Sequence, residues 1–403
     1  MRRLTKKWKA VLTAVLLPAT LLIFSSPAHA AVTVTTSAVF NDPSGTTADQ
    51  NRIRDYIVSL INATPAGESI TAAAYTFTDD TAAQALVNAK ARGVKVRIIV
   101  DDTTTTMSGG EYTTLKDGLG TDRTQSSWVM ACPSARGCIG DRELTSGDPA
   151  INHNKFWLFS NVGGASNVVV QTSHNMTTSQ RTTYFNNAVT IPDSDLYGIY
   201  QSYFSDLLRY GSSSSGDDDY YTTPTSSTGP YKAYFFPRHE ASGTSWSNDA
   251  STDTVKLILD NVSCSGGTQI RVGMNLFSRD EVAQKLVSLV NSGCSVYLAA
   301  DGAPGSMSQA VTDTLYGKLT KRVECYENSP DGTYKIGVHS KYLLIQGTYD
   351  GVANRKLVWT GSHNYTYSAL RANDETLLKI DNSAVYDQYK ANHDTLMTYC
   401  AGS

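Results

Sequence analysis

The 403-residue sequence contains no G-x-S-x-G, no Walker-type Gly-rich loop and no H-E-x-x-H. The usual signatures of serine esterases, P-loop nucleotide enzymes and zinc proteases are therefore missing. None of its six cysteines forms a C-x-x-C, so they do not read as a zinc site. Beyond Phe24 no apolar run is long enough to span a bilayer. Charged residues make up 18% of the chain against 40% hydrophobic, a globular rather than a disordered balance.

What is present begins with an export-type leader. Arg2, Arg3, Lys6, Lys7 and Lys9 precede an apolar stretch from Ala10 to Phe24, and Ala28-His29-Ala30 has the small residues of a cleavage site. Residues 1–30 are expected to be a signal peptide cut after Ala30, and the mature protein to be secreted. Without the leader, 29 basic residues face 37 acidic ones, a net of −8. General polyanion binders need many Lys and Arg contacts to phosphate, so a nucleic-acid partner is not expected. An even number of cysteines in an exported chain suggests disulfides. Cys132 and Cys138 enclose a short loop that a bridge can close; the pairing of Cys264, Cys294, Cys325 and Cys400 stays open.

The chain is internally duplicated. Phe77 to Asp102 aligns with Phe277 to Gly302 without a gap, at an offset of 200 residues. Gln84 meets Gln284, Leu86 meets Leu286, Gly93 meets Gly293 and Asp101 meets Asp301. Each copy reads strand, helix, strand. The helix is marked by apolar positions at helical spacing and by a glycine where its C-terminal cap belongs. Such units imply right-handed crossovers in a largely parallel sheet. The expected fold is α/β: two tandem lobes, each a mostly parallel mixed sheet flanked by helices, spanning residues 31–211 and 231–403. Residues 212–230, rich in Ser, Thr, Asp and Pro, read as a linker or surface loop. Asp101 and Asp301 end strands where open α/β sheets place their ligand crevice, which makes them candidate cleft residues, although Asp there also caps turns.

One short phrase also occurs twice. "INHNKFWLFS" contains His153 and Lys155, and "GVHSKYLLIQ" contains His339 and Lys341. Two residues apart on a strand, each His and Lys share a face. Another strand follows each phrase and ends in Ser173-His174-Asn175 or Ser362-His363-Asn364. Lys balances the charge of a phosphate, Ser and Asn donate hydrogen bonds to its oxygens, and His transfers protons or attacks. Alternation places His174 and His363 on the opposite face, which suits a structural role. His239 and His393 have no duplicated partner.

These paired phrases resemble the signature of the phospholipase D superfamily, H-x-K-x(4)-D followed by G-S-x-N. The similarity covers the whole mature chain, and within the superfamily is greatest to secreted bacterial members that carry both motifs in one chain. The resemblance implies a pseudo-twofold fold with both H-x-K sets around one phosphodiester, in a monomer. It implies covalent catalysis through a phosphohistidine, with His153, Lys155, His339 and Lys341 catalytic and no metal or cofactor. Ser173, Asn175, Ser362 and Asn364 are the implied phosphate-binding residues. The expected substrate is a phospholipid at a membrane surface, with water or an alcohol as acceptor. A nuclease, a glycerophosphodiester hydrolase and a non-catalytic phospholipid-binding protein are the alternatives.

Two departures stand out. The motif acid is replaced by Ser160 and Gln346. Downstream, where an acid orients the His, the second copy has Asp374 and Glu375, but the first has only Asn186 and Asn187. Read within each lobe, this puts a carboxylate beside His339 and an amide beside His153. A carboxylate favours imidazolium, which suits a general acid, so His153 is expected to be the nucleophile and His339 the acid and base. Ser126 to Gly140, with Trp128, is a candidate rim loop for lipid, the alternative being that its aromatic residue belongs to the core.

Overall fold

A computed structural model describes residues 32–227, 229–247 and 249–402. The expected signal peptide lies outside the described residues. The strands of the first lobe are β1 (Ser37–Phe40), β2 (Ser69–Ala74), β3 (Lys95–Val100), β4 (Trp128–Ala131), β5 (Lys155–Val162), β6 (Ala165–Thr172), the short β7 (Tyr184–Phe185) and β8 (Asn187–Pro192). Seven of them form one sheet in the order β1-β8-β6-β5-β2-β3-β4. The second lobe has β9 (Tyr231–Phe235), β10 (Val262–Ser263), β11 (Gln269–Met274), β12 (Ser295–Asp301), β13 (Lys321–Cys325), β14 (Glu327–Asn328), β15 (Lys335–Val338), β16 (Lys341–Tyr349), β17 (Val352–Gly361) and β18 (Thr376–Ile380). Its sheet runs β13-β12-β11-β16-β17-β18-β9, with β10 paired to β16.

The duplicated units fold as their periodicity requires. The helix Asp80–Ala91 starts at Asp79, whose carboxylate accepts from Ala82 N–H, and it buries Ala82, Ala83, Ala85, Leu86 and Ala89. Its counterpart Asp280–Asn291 buries Val282, Ala283, Leu286 and Leu289. Each is stopped by a glycine in the left-handed region, Gly93 at φ +93° and Gly293 at φ +98°. Within the two large sheets the parallel pairs are β2-β3-β4 and β11-β12-β13, and outside them β15 pairs in parallel with β7. The expectation of mostly parallel sheets is corrected to this extent. Each H-x-K strand turns back through a two-residue hairpin, at Gly163-Gly164 and at Asp350-Gly351, and such hairpins make antiparallel neighbours.

From Val32 onward the chain is a single compact unit. One apolar cluster lies between the lobes, joining Phe156, Tyr200 and Tyr203 of the first to Phe235, Tyr342 and Tyr386 of the second. Two further clusters lie under the outer helices, one per lobe. Residues 212–230 are fastened along the surface: Tyr220 packs into the inter-lobe cluster, and Thr222 and Thr225 bridge to Phe235 and Lys232. The cysteines pair as Cys132–Cys138, Cys264–Cys294 and Cys325–Cys400. Trp128 is buried against Phe204 rather than on a rim, because it opens β4 and faces the inter-lobe core. Among the described residues no helix is long and apolar enough to cross a membrane.

Candidate active site

Lys155 and Lys341 are the first residues of β5 and β16, so the preceding His153 and His339 sit just off the strand ends. Both loops are tied to the opposite lobe. His153 N–H donates to the carbonyl of Asp374 (3.0 Å), and His339 N–H to that of Phe185 (2.9 Å). β15 pairs in parallel with β7, and Asn152 bridges in parallel to Asp374, so the exchange is reciprocal. Each lobe therefore orients the other lobe's histidine.

This crossing corrects the expected pairing. Glu375 Oε1 lies 2.8 Å from Nδ1 of His153, not of His339. Asn186 Oδ1 lies 3.0 Å from Nδ1 of His339. The carboxylate is thus beside His153 and the amide beside His339. The neighbouring residues of each pair do other work. The Asp374 carboxylate accepts backbone N–H groups from Cys138 (2.7 Å), Ile139 (3.1 Å) and Gly140 (2.7 Å), and so anchors the disulfide loop rather than a histidine. Asn187 donates to Thr360 Oγ1 and Tyr389 OH in the lobe interface. Neither Asp374 nor Asn187 orients a histidine through its side chain, because side chains of successive strand residues point to opposite faces.

The two serines are also corrected. Ser173 Oγ donates to Asn186 Oδ1 and accepts from Asn187 N–H. Ser362 Oγ donates to Glu375 Oε2 and accepts from Thr376 N–H. Both are fully buried, and each hydroxyl's single proton is already committed. They position the residues that hold the histidines. Asn364 Oδ1 accepts from Leu276 N–H, while Asn175 Oδ1 is buried without a partner.

Asp101 and Asp301 do not line an open crevice either. Asp101 accepts from Thr103 and from Asn152 N–H (2.7 Å), one residue before His153. Asp301 accepts from Ser306 and from Val338 N–H (3.1 Å), one residue before His339. They cap a turn and brace the histidine loop together. At the motif-acid positions, Ser160 donates to Glu68 and accepts from Ser69 N–H, at the far end of β5 from Lys155. Gln346 accepts from Tyr386 OH. Both replacements serve strand packing.

The electrostatics are those of a buried cationic pocket. Lys155 Nζ donates to the His153 carbonyl (2.6 Å), and Lys341 Nζ to that of His339 (2.7 Å). Burial pulls Lys155 down to about 7 and Lys341 well below its ordinary value. Burial, then the lysines, hold His153 and His339 well below theirs. Burial pushes Glu375 up to about 8, opposed by Lys155. An incoming anion would reverse these shifts on the bases by favouring their charged forms. Tyr75 packs edge-on to His153 at 5.1 Å and Tyr184 against His339 at 5.5 Å. Neither tyrosine carries a sequence signal that would single it out among 23. The rings of His174 and His363 are buried with no hydrogen-bond partner, and His363 packs on Phe236. His393 is buried and faces the Val272 carbonyl, and His239 lies beside Glu240; neither is part of the site. Among the described residues the one His/Cys/Asp/Glu cluster within metal-ligating reach is Cys132, Cys138 and Asp374, whose sulfurs form a disulfide.

A groove of about 280 Å³ opens at Leu276, whose N–H is bound by Asn364. Its walls include Leu144, Trp246, Phe277 and Tyr367.

Two lobes that exchange His-orienting residues around paired H-x-K sets define the class of phospholipase D-like proteins. The chain belongs to this family: residues 57–208 and 262–397 match the family described as cardiolipin synthase, PLD-like domain. No curated protein sequence matches it. Phosphatidylserine synthase of Haemophilus influenzae has a similar structure, with a TM-score of 0.56 at 12% identity, covering 90% of this chain and 86% of that one. Polyphosphate kinase of Porphyromonas gingivalis gives 0.54 at 12% identity over 90% of this chain, which spans about half (50%) of the kinase. Nuc, a phospholipase D family member of Salmonella typhimurium, gives 0.32 at 21% identity, covering 44% of this chain and 95% of that one.

Proposed function

We propose that the protein is a secreted, monomeric phosphodiesterase of phospholipase D type, which releases the head group of phospholipids and passes the phosphatidyl group to water or an alcohol. The observation that carries this reading is the hydrogen bond from His153 Nδ1 to the Glu375 carboxylate across the lobes. A carboxylate there fixes the proton on Nδ1 and leaves the Nε2 lone pair to attack. His153 Nε2 forms a bond to phosphorus, and the bond from phosphorus to the leaving oxygen breaks. His339, held by a neutral amide, gives its proton to that oxygen. It then takes a proton from water or an alcohol, whose oxygen displaces His153 from phosphorus. The two-step route replaces one difficult displacement with two easier ones. Lys155, Lys341 and the amide nitrogens of Asn175 and Asn364 face the non-bridging oxygens.

The groove at Leu276, where Leu144, Trp246 and Phe277 stand among Thr145, Asp148 and Ser278, is in keeping with an amphipathic substrate. The names of the family and of the Haemophilus protein, both synthases, are in keeping with transfer to an alcohol. Three disulfides are in keeping with an oxidising compartment. The test is incubation of the chain without its first 30 residues, with chelator, mixed phospholipids and ethanol. Phosphatidylethanol is the expected product by mass spectrometry, absent with His153→Ala. Cleavage of DNA or RNA alone would make it a nuclease, and release from water-soluble diesters alone a glycerophosphodiester hydrolase. No turnover on any diester would leave a binding protein.

A further inference from the structure

At the other end of β18 from Glu375, about 13 Å along the strand, the surface folds into a second concavity of about 280 Å³. Three cations line it: Lys232, Arg238 and Lys379. Lys232 and Lys379 stand directly opposite each other in the pairing of β9 with β18. Like charges in that position repel and destabilise a sheet. Neither lysine, nor Arg238, makes an ion pair with a carboxylate among the described residues. Each lies over a tyrosine instead: Lys232 over Tyr234 at 5.0 Å, Arg238 over Tyr221 at 4.5 Å and Lys379 over Tyr349 at 5.0 Å. One carboxylate, Asp350, shares the lining and is exposed. The nearby Arg355 is already paired with Asp381. Burial, then Arg355, lowers the Lys379 ammonium below its ordinary value.

The duplication supplies an internal control. In the first lobe, Thr190 on β8 occupies the place of Lys379, and Ser37 on β1 stands opposite it. Thr190 is there hydrogen-bonded to Tyr56 OH. The fold is therefore satisfied by neutral hydroxyls at this register, and two facing lysines are a feature of the second lobe alone. Arg238 also donates to Thr254 Oγ1 (3.3 Å), and an anion held between the lysines would relieve their repulsion and use the remaining donors.

We infer that Lys232, Arg238 and Lys379 form a second anion site, separate from the paired histidines, that takes a phosphate group. Three charged donors converging in a half-buried concavity suit the several oxygens of a phosphate. The ligand is either free phosphate or the phosphomonoester head group of an acidic lipid.

The test compares the His153→Asn chain with the same chain carrying Lys232→Gln and Lys379→Gln. Titration calorimetry with inorganic phosphate should show one fewer site in the triple variant, and Arg238→Gln should weaken that site about tenfold. Removing two like charges does not threaten the fold, and far-ultraviolet circular dichroism verifies this. In the otherwise wild-type chain, turnover of a soluble diester should be unchanged by the two lysine substitutions. Sedimentation with phosphatidylcholine vesicles, with and without phosphatidic acid, separates the sources. Lysine-dependent binding to the acidic vesicles identifies the lipid head group. Loss of phosphate binding with no vesicle effect identifies free phosphate. Equal phosphate stoichiometry and affinity with and without the lysines overturns the site.

Discussion

Glu375 and Asn186 occupy equivalent places in the duplicated fold, yet one is a carboxyl and the other an amide. The two histidines are therefore chemically unequal, and His339 Nδ1 also meets Lys341 Nζ and the Ser173 carbonyl, both at 3.1 Å. In His339→Asn, phosphohistidine should accumulate on His153, because no base remains to activate water; His153→Asn should give none. Peptide mapping of the trapped adduct decides between them, and an adduct on His339 would reverse the roles. Glu375 also raises Lys155, which burial has brought down to about 7. A lysine is charged below its pKa, so kcat/KM for an anionic diester should fall as pH rises through about 7 in the free enzyme. Glu375→Gln should lower kcat by about 10²–10⁴-fold through loss of the oriented tautomer. It should also move the alkaline limb of the residual activity to lower pH, since the group that favours charged Lys155 is gone. A limb that stays in place would mean that Lys155 does not control it.

Each site element is a strand end braced by a carboxylate and closed by a loop from the opposite lobe. The duplication made much of this legible. The offset of 200 residues located both crossover units, and the two H-x-K phrases located both strand starts. What sequence could not convey was which lobe each orienting residue serves. Glu375 is 36 residues from His339 and 222 from His153, and proximity along the chain favoured the wrong partner. The roles of the serines were hidden for a related reason: a hydroxyl facing a phosphate and one buried against a carboxylate have the same sequence signature. The glycines of "RGCIG" were equally silent. A Cβ on Gly140 would lie 1.8 Å from the Ala372 carbonyl, inside the segment that holds His153. Gly140→Ala should therefore cost about 1–3 kcal/mol by overpacking and depress turnover together with stability. Gly198, inside the helix Ser194–Gly211, has no atom within 4 Å of a built Cβ. Gly198→Ala should stabilise by up to about 1 kcal/mol through helix propensity alone. Urea midpoints for the two variants should move in opposite directions.

On the scale of the molecule, the lobes are held together by the largest apolar cluster and by the strand exchange at the site, not by covalent links. No disulfide joins the first lobe to the second: Cys132–Cys138 lies in one, and Cys264–Cys294 and Cys325–Cys400 lie in the other. The longest of the three bridges spans 75 residues of sequence. In the chain-entropy picture its removal costs about 4.5 kcal/mol, against about 2 for the short loop at Cys132. Between the lobes the longest exposed run among the described residues is Ser212–Ser215, and Tyr220 then packs into the core. A protease site placed in that serine run should be cut without disturbing the packed segments on either side. The two fragments should then co-elute at the size of the intact chain and retain turnover, because the inter-lobe cluster and the Asp374 and Phe185 contacts remain. Non-reducing denaturing gels should separate them, since no bridge spans the cut. Fragments that part under native conditions would show that chain continuity, rather than the shared core, keeps each histidine against the lobe that orients it.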